Sequence, residues 1–147
     1  MLSIRPLAPS DRAAWAPLWA GYLAFYESSV ARAVTDATFA RLTDPHATER
    51  GAFVAELDGT VAGFVHYIYH AHNWHAGDVC YLQDLYVSDT ARGNGAARAL
   101  IEAVYAAADA NGTPSVYWMT QKFNHTARAL YDRIGTKTPF IKYARTT

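Results

Sequence analysis

"DTARGNGAARAL", residues 89–100, places Arg92, Gly93 and Gly95 directly before a run that reads as helix. A helix start carries unpaired backbone N–H groups and a partial positive charge. Glycine lets a ligand approach that backbone closely. The stretch is therefore a candidate anion cradle. The competing reading is a Gly-rich turn with a solvated arginine. A dinucleotide fingerprint is excluded, because Arg98 stands where its third glycine belongs. A P-loop is excluded, because its lysine is missing. What remains is R-x-x-G-x-A, from Arg92 to Ala97.

Working outward, "DVCYLQDLYV" (78–87) enters the stretch as a long strand rich in β-branched and aromatic residues. Ala97, Leu100, Ile101, Val104 and Ala108 leave it as one apolar helical stripe, ended by Asn111-Gly112. "LSIRPL" (2–7) alternates as a strand, and Ser10 is the expected cap of a helix carrying Trp15, Leu18, Trp19, Tyr22 and Leu23. Pro17 sits inside that pattern and is expected to break or kink it. A weaker helix covers about residues 35–43. Asp58-Gly59 joins two strands as a hairpin. After the central helix come a strand at 115–121, a helix opened by Asn124 and stopped by Gly135, and a strand at 139–144, "PFIKYA". Successive hairpins imply an antiparallel half, and the crossover from 87 to 115 implies a parallel pair. The expectation is one α/β domain over residues 1–147.

Composition narrows the function classes. Thirteen basic residues balance thirteen acidic ones, which argues against nucleic-acid or anionic-membrane partners. The single cysteine, Cys80, forms no internal disulfide and fits a reducing, cytoplasmic setting. The first residues do not read as a secretory signal, and no apolar run has the ~20 residues of a membrane span.

Two further matches give the quoted stretch its meaning. "YLQDLYVSDTARGNGAARALIEAV" resembles the acetyl-CoA motif of the GCN5-related N-acetyltransferases (GNAT), [QR]-x-x-G-x-[GA], filled by Arg92, Gly95 and Ala97. "NHTARALYDRIG" is similar to the family's second motif, N-x-x-A-x-x-L-Y, filled by Asn124, Ala127, Leu130 and Tyr131. "CYLQDLYV" and "PFIKYAR" resemble the branch that acetylates polyamines, histones and small amines. The resemblance implies a mixed, mostly antiparallel sheet of about six to seven strands, flanked by about four helices, with a splayed parallel pair. It implies that Gly93, Asn94, Gly95, Ala96, Ala97 and Arg98, with Arg92, hold the coenzyme A pyrophosphate. Leu85, Tyr86 and Val87 would pair with the pantetheine arm, and Asn124 would contact it from the other side. Tyr131, two helical turns beyond Asn124, would protonate the leaving thiolate. A homodimer joined through the last strands is also implied.

The base is the departure. The branch carries a glutamate where this chain has Gln83, and glutamine takes no proton. Asp84 acting through water, a histidine, or a substrate that arrives neutral all stay open. His66, His70, His72 and His75 crowd ten residues, but no carboxylate or cysteine stands among them, and the resembled family needs no metal. His66 and His70 fall on one strand face, so one of them is a candidate for the site. Tyr26, Glu27 and His66 are the candidate acceptor contacts. The expected activity is acetyl transfer from acetyl-CoA to a small primary amine in a ternary complex. The alternatives are protein or peptide N-acetylation, and a silent acyl-CoA sensor.

Overall fold

The computed structural model describes residues 1–147. Its sheet has five strands in the order β1-β2-β3-β4-β5. They are β1 (Leu2–Pro6), β2 (Arg50–Leu57), β3 (Thr60–Ala71), β4 (Asp78–Val87) and β5 (Val116–Tyr117). The helices are α1 (Arg12–Phe25), α2 (Arg32–Leu42), α3 (Ala96–Ala110) and α4 (His125–Ile134). β1 to β4 pair antiparallel, and β4 pairs parallel with β5. At the β2–β3 hairpin Asp58 and Gly59 have φ of 52° and 82°, the two positive values that a type I′ turn needs.

Two apolar layers sandwich the sheet. On one face Leu100, Ile101, Val104 and Ala108 of α3 pack on Ala55, Val65, Cys80 and Leu82, with Leu130, Tyr131 and Ile134 of α4 at the margin. On the other, Trp15, Leu18 and Trp19 of α1 and Phe39 of α2 pack on Ala52, Val54 and Phe64. Trp15 and Trp19 are thus core residues, stacked with ring centroids 5.5 Å apart. No helix is long and apolar enough to cross a membrane.

Four expectations are corrected. α1 runs unbroken through Pro17. Proline removes one backbone donor there, and burial of the tryptophan stripe outweighs that loss. The residue before α1 is Asp11 rather than Ser10. Its carboxylate accepts from the Ala8 N–H and from both Nη groups of Arg5, which tie it to β1. The 115–121 strand shrinks to two residues, and no strand forms at 139–144, so the sheet has five strands rather than six or seven. The "PFIKYA" alternation supplies a face, but a strand also needs a free edge. β5 offers only Val116 and Tyr117, and Phe140, Ile141 and Tyr143 stay exposed.

Candidate active site

The site begins with one unpaired residue. In the β3–β4 register His66 faces Asp84 and Tyr67 faces Leu82, so Gln83 has no partner. This is a β-bulge, and it reverses the pleat of β4. Leu82 packs under α3, yet Asp84, two residues on, lies on the α1 face. There Asp84 Oδ1 accepts from the Tyr22 hydroxyl at 2.7 Å, and Oδ2 from His66 Nδ1 at 2.9 Å. The Trp15 indole N–H can only donate, and it reaches His66 Nε2 at 3.1 Å. Nε2 therefore accepts, and Nδ1 carries the proton given to Asp84. Burial and the facing Asp84 carboxylate hold the Tyr22 phenol far above its ordinary range, so it stays a donor.

Beyond Tyr81 the parallel pair parts. β4 and β5 match only at Cys80–Val116 and Tyr81–Tyr117. The gap is a cavity of about 280 Å³ between β4 and the segment 118–121. Tyr22 of α1, Tyr26 just past its end, Gln83 and Leu85 of β4, Thr120, and Tyr131 of α4 all line it. Burial, then the neighbouring Tyr26, pushes the Tyr131 phenol up to about 12. Burial also raises Tyr26.

Past Val87 the chain makes a short 3-10 turn, Asp89–Ala91, and reaches α3. Gly95 is the residue before the helix, with φ 77°, and Gly93 has φ 84°. No side chain caps this end, and its first turn holds no acid. The first helical backbone bond here runs from the Ala99 N–H to the Gly95 carbonyl. The N–H groups of Ala96, Ala97 and Arg98 precede it. Asn94 does not cap the helix; its amide braces the turn by donating to the Ala91 carbonyl at 3.0 Å. Arg92 pairs with Asp89 and Arg98 with Glu102, so both guanidinium groups are at the rim. An uncapped helix start beside two left-handed glycines presents open N–H groups and a partial positive charge.

A family model described as "Acetyltransferase (GNAT) family" matches residues 15–136. The chain belongs to the GNAT family. It is an enzyme of the N-acetyltransferase class. It is 41% identical over 143 residues to the D-amino-acid N-acetyltransferase HPA3 of Saccharomyces cerevisiae, covering 97% of this chain and 89% of that one. It is 30% identical to the uncharacterized N-acetyltransferase YhfO of Bacillus subtilis, covering 97% and 95%. Among solved structures, AAC(6')-Iy with a CoA-linked bisubstrate analogue superposes with a TM-score of 0.86 at 18% identity, covering 100% and 99%. A ribosomal-protein-alanine N-acetyltransferase of Brucella melitensis superposes at 0.81 with 22% identity, covering 100% and 99%. The GNAT fold thus carries both small-molecule and protein acceptors, and the acceptor must be read from the site.

Within this GNAT fold the residues named from sequence do not all meet at the cleft. Gln83, Leu85, Tyr26 and Tyr131 converge on the cleft. Tyr86 points away, its ring 6.4 Å from Tyr22 and its hydroxyl over Gly21, where a Cβ would meet it at 2.7 Å. Val87 packs under α3. Asn124 precedes α4, and its amide donates to Thr120 at the cleft wall. Glu27 is exposed just past α1 and does not line the cleft. His66 is buried at 2% exposure among aromatic rings, with both nitrogens engaged. His70 does share its face but bonds the Tyr117 hydroxyl, and His72 and His75 meet each other in the next loop. Tyr22, which the sequence places at the end of the first helical region but not among the candidate contacts, joins the site.

Proposed function

We propose that the chain moves an acetyl group from acetyl-CoA to the primary amine of a small molecule, by direct attack in a ternary complex. The observation that carries this reading is the cleft opened where β4 leaves β5, continuous through β4 with the uncapped start of α3. The yeast relative's named substrate, a D-amino acid, is an amine of this size. The thioester supplies the activated acetyl group; the protein supplies position and protons.

The N–H groups of Ala96, Ala97 and Arg98 meet the pyrophosphate, and Gly93 and Gly95 keep side chains out of its way. The unpaired β4 edge at Leu85–Val87 accepts the pantetheine arm as another strand would lie, with Asn124 opposite. Tyr131 gives its proton to the departing thiolate. Burial that disfavours the phenolate equally disfavours a thiolate in the same cleft, so the two groups stay matched for the transfer. Gln83 presents an amide to the acceptor. Asp84 has both oxygens occupied and holds Tyr22 at the wall, acting as a positioning residue.

With Gln83 not ionisable, and with Asp84 and His66 bonded away, the amine sheds its proton to solvent. The test is acetyl-CoA with a panel of amines and peptides, free thiol being followed across pH. The expected rate on a small amine climbs with pH toward the amine's own pKa. Tyr131 titrates near 12, so no alkaline fall comes below about pH 11. A plateau near neutral pH would reveal a protein base. Thiol release on peptides alone would move the acceptor to proteins, and none on any amine would leave the sensor reading.

We also propose a homodimer. Phe140, Ile141 and Tyr143 of the tail are 75–88% exposed, and Met119 and Phe123 are exposed too. Apolar side chains in this number on a small domain mark a contact surface. Light scattering at micromolar concentration is expected to give twice the chain mass; a monomer mass refutes it.

A further inference from the structure

A second cavity, about 110 Å³, opens on the α1–α2 face and shares Gln83 with the cleft. Its charge is lopsided. Asp84 of β4 lines it on one side, and Arg41 of α2 and Arg50 of β2 also line it. β3 lies between β2 and β4, so about 10 Å of sheet separates the two strands. Arg50 gives Nε to Glu49 Oε1 at 3.1 Å, which leaves both of its Nη groups without a partner. Arg41 enters none of the chain's ion pairs. Asp84, by contrast, is bonded through Tyr22 and His66 and still lines the cavity beside Gln83. A carboxylate facing two open guanidinium groups across a small cavity is the complement of a zwitterion.

We infer that this cavity is a carboxylate subsite and that the acceptor is an amino acid. Its amine lies by Gln83 and Asp84, beside the cleft, and its carboxylate meets Arg41 and Arg50. Arginine suits the task, because its planar fork engages a carboxylate through two parallel N–H groups. The inference rests on acetyl transfer at the cleft as proposed above.

The test compares alanine with alaninamide, each as both enantiomers, in wild type, Arg41→Ala and Arg50→Gln. Wild type is expected to prefer the acid. In each variant the acid-to-amide ratio of kcat/KM should fall roughly 10- to 100-fold, carried mainly by KM, the scale for losing a hydrogen bond to a charged group. Arg41 is exposed, so Arg41→Ala keeps the test valid even if Arg50→Gln weakens the strand. Trp19 lines this cavity and Trp118 the cleft, so the part of the fluorescence change that Trp19→Phe removes reports binding here without turnover. Quenching by alanine over alaninamide, with no transfer to either, would keep the subsite and defeat the acetyl-transfer reading. Equal handling of acid and amide by wild type in both assays, or an unchanged ratio in both variants, overturns the inference.

Discussion

Tyr131→Phe is expected to lower turnover by about 10²-fold, the scale for losing a general acid, while stability and acetyl-CoA affinity change little. The ring packs edge-on to Trp118 with centroids 5.6 Å apart, and phenylalanine keeps that contact. The hydroxyl owes its raised pKa to burial and to Tyr26, with no hydrogen bond contributing, so its removal orphans no partner. If Tyr131 served only packing, the substitution would leave rate untouched. Steady-state kinetics and melting curves on the same preparations separate the two outcomes. Full activity in the phenylalanine variant removes Tyr131 from the mechanism.

Gly95→Asp is expected to weaken acetyl-CoA binding by on the order of 2 kcal/mol, roughly 30-fold, because a carboxylate replaces open backbone at a helix N-terminus. A Cβ at Gly95 meets nothing within 4 Å, so the cost is not a clash. Its φ of 77° lies in the left-handed region, which aspartate and asparagine tolerate better than other residues. Gly95→Asn is therefore the control, sharing the shape and the backbone cost without the charge. Calorimetry should show most of the loss in the aspartate variant alone. Equal binding by both variants and wild type, with the fold intact, would defeat the cradle.

Much of the fold was legible because its signals are local. Asp58-Gly59 specifies a turn through two adjacent residues, and the α3 stripe from Ala97 to Ala108 repeats at helical spacing. The missing last strand shows the limit. "PFIKYA" alternates as a strand would, but pairing depends on an edge that another part of the chain provides, and β5 ends at Tyr117. Pro17 shows the same limit in reverse, since a local breaker was overridden by burial of Trp15 and Trp19.

The candidate site divides along the same line. The sequence by itself determined the glycine turn before α3, the spacing of Asn124 and Tyr131 along α4, and the absence of an ionisable side chain at position 83. Each is a matter of residue identity and short-range periodicity. Only the tertiary structure decided that Gln83 is a bulge, because a bulge exists in the register between two strands and not in either one. That single unpaired residue turned Asp84 to the α1 face, closed it into the chain of Trp15, His66 and Tyr22, and withdrew His66 from solvent. It also left Gln83 facing two cavities. Arg41 and Arg50, nine positions apart and unremarkable in sequence, share one of those cavities because α2 packs over the start of β2.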